Sequence, residues 1–138
     1  MSDELDELFG GGLDLEGQHI EKGRVDGVAD GCILGKTEGW ESGVRSGFTV
    51  GGEVGFYSGC AQVWQHYADQ HPDLFSERAQ KGIAALQRLV ASFPLDNAED
   101  DSLQDVLEKL RSKFKAVSSM LGVHQEYSPK ENPSSLSF

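Results

Sequence analysis

Residues 23–59 read GRVDGVADGCILGKTEGWESGVRSGFTVGGEVGFYSG, and glycine falls on every fourth position without a miss. The series is Gly23, Gly27, Gly31, Gly35, Gly39, Gly43, Gly47, Gly51, Gly55 and Gly59, which makes ten G-x-x-x units. A period of four fits no extended repeat. Collagen requires three, and a strand covering all these residues is far too long. Four lies close to the ~3.6 residues of an α-turn, so the repeat predicts helix.

Such a helix is weak on its own. Each interior glycine costs roughly 1 kcal/mol against alanine, and ten together cost on the order of 10 kcal/mol. Close backbone packing offsets that cost, because small residues four apart let two helices approach nearly backbone to backbone. Geometry sets a limit. Each four-residue step turns the stripe by about 40°, so over the full repeat it travels round the helix. No single straight partner reaches every glycine, which predicts a break and fold-back, a second wrapping chain, or both. Adjacent Gly51 and Gly52 are the expected position of a break.

The residues between the glycines assign the faces. Those directly following are Arg24, Val28, Cys32, Lys36, Trp40, Val44, Phe48, Gly52, Phe56 and Cys60, mostly apolar. Those preceding the next glycine begin Asp26, Asp30, Leu34, Glu38, Ser42 and Ser46, mostly polar. The glycine stripe therefore has an apolar flank and a solvated opposite side. A membrane span is excluded, since Arg24, Asp26, Asp30, Lys36, Glu38, Glu41, Arg45 and Glu53 interrupt any apolar run.

Outward from the repeat, the 138 residues allow one domain of moderate core. The net charge of −11 argues against a nucleic-acid surface, which needs clustered Lys and Arg. Cys32 and Cys60 share one repeat register and form neither a disulfide framework nor a zinc motif. With no signal peptide or lipidation motif, the expectation is an intracellular protein with access to cytosol and nucleus. Residues 1–16 carry six acids and no base around Leu5, Leu8 and Phe9, followed at once by Gly10, Gly11 and Gly12. This predicts a flexible acidic arm over residues 1–15.

An all-α domain is expected over residues 16–122. Its repeat helix begins near Glu16, carries the repeat over 23–62 and continues to about Gln70, where His71-Pro72 marks a boundary. Leu74, Phe75, Ala79, Ile83, Leu86, Leu89, Val90 and Phe93 trace a second, amphipathic helix over about 73–92. The third covers 102–121. Ser102 is its N-cap, Leu103, Val106, Leu107, Leu110, Phe114, Val117 and Leu121 are its apolar face, and Gly122 occupies C′. Lys109, Arg111, Lys113 and Lys115 lie where the helix dipole favours cations. Residues 123–138 are polar and proline-punctuated, which predicts a disordered tail.

No motif of catalysis emerges. Gly35-Lys36-Thr37 suggests a phosphate loop, but the glycine required five residues earlier is Asp30, and no strand precedes it. His19, His66, His71 and His124 have no metal-ligand spacing, and no nucleophile setting surrounds a Ser or Cys. Neither a cofactor nor a metal is expected.

Three features resemble one family: the tenfold GX3 run, the segment SFPLDNAEDDSLQDVLEKLRSKFKAVSSMLGV, and the final Leu136-Ser137-Phe138. Together they are similar to the deca-GX3 adaptors, and the resemblance covers nearly the whole chain beyond the acidic arm. It implies a non-enzymatic role in cytosolic iron–sulfur protein assembly, supporting ribosome biogenesis and translation. Family members pair with a second, Yae-type deca-GX3 protein, which assigns the ten repeat glycines to a partner-helix interface. The pair brings the ribosome-recycling ABC ATPase to the cytosolic iron–sulfur targeting complex. The family contacts that complex through a C-terminal aromatic, which here carries over to Leu136, Ser137 and Phe138. Tryptophan is the best-known form, and phenylalanine fits the broader aliphatic, small or acidic, then aromatic pattern. The alternative from another class is a purely structural helix-pairing subunit, in which the tail has no targeting role.

Overall fold

The computed structural model describes residues 2–96 and 102–129. Three α-helices and no strand occur among them: α1 is Ser2–Gln70, α2 is Glu77–Ala91 and α3 is Ser102–Leu121. A short 3-10 helix, Pro72–Leu74, lies between α1 and α2. The all-α class is the one the repeat implied.

Two differences concern α1. It takes in residues 2–15, where the sequence suggested a flexible acidic arm broken by the glycine triplet at 10–12. Glycine weakens a helix without forbidding it, and Asp3 and Glu4 in the first turn meet the positive end of the macrodipole. Nor is there a break at Gly51-Gly52, since α1 carries through both. Val50, Val54 and Tyr57 beside them pack on the core and hold that turn in place.

The chain divides into two compact units, Met1–Ser42 and Gly43–Phe138. The described part of the first is helix throughout, and every residue in it is exposed. All the buried residues belong to the second unit. There α1 contributes Val54, Tyr57, Ala61 and Ala68, with Val50 and Trp64 at the margin. These fall four, three, four, three and four apart, the spacing of a core-facing helix stripe.

The chain leaves α1 at His71, whose backbone before Pro72 (φ −132°, ψ 64°) is outside the helical region and cannot continue the helix. Ser76 then caps α2 by accepting a 3.1 Å hydrogen bond from the Ala79 amide. The start of α2 thus lies four residues beyond the sequence expectation of 73, at the residue after this cap. Ala79, Ile83 and Leu86 are buried along α2. Gly82 lets α3 come close, because a Cβ there would lie 3.2 Å from Cγ2 of Val117.

Helix α3 has the expected bounds and buries Leu107, Leu110, Phe114 and Val117. Its end is the expected glycine stop. Gly122 has φ of 68°, its amide reaches the Ser119 carbonyl at 3.1 Å, and the Val123 amide reaches Ser118 at 3.0 Å. Aromatic rings bind α1 to α3: Phe114 lies 4.6 Å from Tyr57 and 5.4 Å from Trp64, ring centre to ring centre.

One ion pair reinforces this seam. Arg111 donates to both oxygens of Glu53, Nε to Oε1 at 2.5 Å and Nη2 to Oε2 at 2.9 Å. The Tyr57 hydroxyl donates to Oε1 at 2.8 Å. Glu53 is buried whereas the Arg111 side chain is half exposed. The guanidinium holds the Glu53 carboxyl below its ordinary range, against a smaller upward push from burial. Burial first, then the hydrogen bond to Glu53, pushes the Tyr57 phenol up. Because the Glu53 pKa is depressed on folding, its stabilisation is complete above the unfolded value near 4.5 and is lost as pH falls through the folded value.

Arg111→Ala is therefore expected to cost about 2 kcal/mol at pH 7, discounted for the half-exposed guanidinium. The gap from wild type should narrow below about pH 4, as the stranded carboxylate protonates. Urea melts across that range provide the test, and a pH-independent gap contradicts the account. A second expectation concerns the units separately. Hydrogen exchange on the isolated chain should be fast over residues 2–42 and slow around Tyr57, Leu86 and Leu110.

Candidate helix-pairing surface

In the first unit, Gly23, Gly27, Gly31, Gly35 and Gly39 are all exposed. A Cβ built on any of them meets no atom within 4 Å. The same holds in the second unit for Gly43, Gly47, Gly51, Gly55 and Gly59. Crowding by the described residues therefore does not account for glycine at any of the ten positions. In the second unit Gly51, Gly55 and Gly59 are turned away from the core by roughly 90–170° around the helix axis, at about 100° per residue.

Large apolar residues accompany the open glycines. In the first unit Val28, Ile33 and Leu34 are exposed, and Trp40 is 55% exposed. In the second, Phe48 is 61% exposed. The apolar row that follows each glycine then changes role. Phe56 and Cys60 are half-buried against the core, and burial pushes the Cys60 thiol up. The row is thus an open flank at Val28 and Phe48 and a core edge at Phe56.

Sequence reading did not bring Glu53 and Arg111 together. Glu53 counted only as a charge barring a membrane, and Arg111 only as a cation on α3. The available signal was the 3–4 spacing of Val50, Val54, Tyr57 and Ala61, which places Glu53 beside a buried stripe. Leu136, Ser137 and Phe138 lie outside the described residues.

The structure bears on the phosphate-loop motif directly. Gly35-Lys36-Thr37 lies in the body of α1, where the Thr37 hydroxyl donates to the Ile33 carbonyl at 3.0 Å. Backbone amides engaged in a helix cannot cradle a phosphate as a loop does. Among the described residues no group of three or more His, Cys, Asp or Glu could hold a metal ion. No described helix is long and apolar enough to cross a membrane. Cys32 is exposed and Cys60 is half-buried.

No family model and no solved structure matches the chain. Three relatives do, all named LTO1 homolog. The mouse protein is 30% identical over 86 residues, 62% of this chain and 63% of its own. The human protein is 32% identical over 82 residues, 59% of this chain and 60% of its own. The protein of Dictyostelium discoideum is 30% identical over 83 residues, 51% of this chain and 59% of its own. The chain thus spans about three fifths of the length of the relatives it matches. Over that shared segment the chain is similar to these proteins named LTO1 homolog, in keeping with the deca-GX3 resemblance carried by its repeat.

Proposed function

We propose that the chain is a non-enzymatic adaptor that pairs through its repeat helix with a second, Yae-type deca-GX3 protein. The pair brings the ribosome-recycling ABC ATPase to the cytosolic iron–sulfur targeting complex for cluster insertion. The observation that carries the pairing is the open space over all ten repeat glycines, beside exposed Val28, Ile33 and Phe48. Glycine at these positions costs helix stability and relieves no crowding within the chain. A second helix seated on the row gives the glycines a purpose, since its backbone can approach where a side chain would hold it off. The LTO1 relatives support the family within which this reading is made.

Leu136, Ser137 and Phe138 are the proposed contact with the targeting complex. A short peptide concentrates its affinity in a few anchors, because ordering it on a surface costs entropy. Here the ring of Phe138 and the side chain of Leu136 serve as those anchors. The reading places the protein in the cytoplasm, with access to the nucleus.

Two experiments test the two halves separately. The Gly31, Gly35 and Gly39→Leu triple variant should be more helical as a free chain, because leucine is the better helix former and the sites are open. It should nevertheless lose the Yae-type partner in a pull-down of the purified proteins. Retained pairing rules out close helix approach as the purpose of the repeat. In a pull-down with the purified targeting complex, Phe138→Ala should lower recovery about tenfold or more, and Phe138→Trp should maintain it. Equal recovery with Phe138→Ala favours the structural helix-pairing subunit, with no targeting role for the tail.

A further inference from the structure

The segment after α3 does not simply leave the end of that helix. Gly122 reverses the chain, and the Ser118 hydroxyl donates to the Val123 carbonyl and holds the turn. Four residues later the Tyr127 ring lies back on α1, 5.6 Å from Phe56 and 6.5 Å from Tyr57, centre to centre. His124, Gln125 and Glu126 between them are exposed, so Tyr127 is the point of attachment.

Its seat is a glycine outside the fourfold register. Gly52 follows the repeat residue Gly51, and a Cβ built on it would stand 3.0 Å from the Tyr127 hydroxyl. No Cβ built on any repeat glycine meets an atom within 4 Å. Gly52 and the repeat glycines therefore serve different purposes: the repeat faces open space, whereas Gly52 admits a ring from the chain's own C-terminal segment.

We infer that Gly52 and Tyr127 form a clasp that fixes, on the face of α1, the point from which the chain beyond residue 127 departs. Tyr127 is a positioning residue in this account. It makes the start of the following segment part of the helical body, so whatever that segment carries is presented from α1 and not from the end of α3. Phe56 is the floor of the clasp, held in turn by Phe114 at 5.7 Å. The clasp stands apart from the adaptor reading, because it is measured with no partner present.

The test is limited chymotrypsin digestion of the full chain, with initial rates of cutting after residue 127 read by mass spectrometry. Cutting after Leu74, which is 79% exposed and remote from the clasp in sequence, is the internal reference. Proteolysis of a site that opens rapidly tracks the population of the open form. Gly52→Ala should raise the rate after residue 127 about threefold relative to the reference, and Gly52→Val about tenfold or more, as the added carbons crowd the ring. Tyr127→Phe also leaves a chymotrypsin site but removes the crowded oxygen. Combined with Gly52→Ala it should return the relative rate to within about twofold of wild type. A purely structural loss at position 52 would raise both cuts together and would not be rescued by Tyr127→Phe. An unchanged rate in Gly52→Val, or a double variant no better protected than Gly52→Ala alone, overturns the clasp.

Discussion

A helix whose glycine row carries no side chains must be held by its other faces. That constraint governs the second unit. Along α1 the glycines recur every four residues, whereas Val50, Val54, Tyr57, Ala61, Trp64 and Ala68 alternate steps of four and three. Around the core the two rows stay on different sides. The three–four row accepts Leu107, Leu110 and Phe114 of α3 and Leu86 of α2. The four-residue row is left to solvent. One helix thus presents a side-chain face for folding and a backbone face that folding does not use.

The ion pair belongs to the same division of faces. Glu53 is the charged residue of the buried stripe, and Arg111 and Tyr57 between them occupy both its oxygens. A buried pair adds little net stability over apolar packing, but breaking it leaves a buried carboxylate with only the Tyr57 hydroxyl to balance it. Its consequence is register. Arg111 reaches Glu53 in bidentate geometry at one setting of α3 against α1, and the Phe114 ring then lies between Tyr57 and Trp64. The aromatic contacts alone tolerate more sliding than a forked hydrogen bond does.

Much of this was legible in the chain. The α3 bounds followed from the apolar positions and Gly122, because period and stop agree locally. The end of α1 followed from His71-Pro72. What sequence reasoning misplaced was where helix gives way to something else. Glycine triplets and pairs were read as breaks at residues 10–12 and at Gly51-Gly52, yet α1 carries through both. Propensity is a weak prior, and at Gly51-Gly52 packing by Val50 and Val54 overrides it. The Glu53–Arg111 pair was hidden for another reason. Its members are 58 positions apart, and a periodicity read within one helix cannot say which residue of another will meet it.

The glycines of α1 and α2 separate by what a Cβ would meet. Gly82 and Gly52 are explained by the fold itself: one lets Val117 approach, the other admits Tyr127. The ten repeat glycines have no such explanation among the described residues. An unforced glycine in a helix is a standing cost of about 1 kcal/mol. A regular series of them beside exposed Val28, Ile33 and Phe48 is what the proposed pairing with a second helix would explain. Packing accounts for the residues from Glu53 onward by contacts within the chain. Residues 2–42 bury no side chain, so exposed Val28, Ile33 and Leu34 and the glycines beside them are the surface that the proposed partner helix would cover.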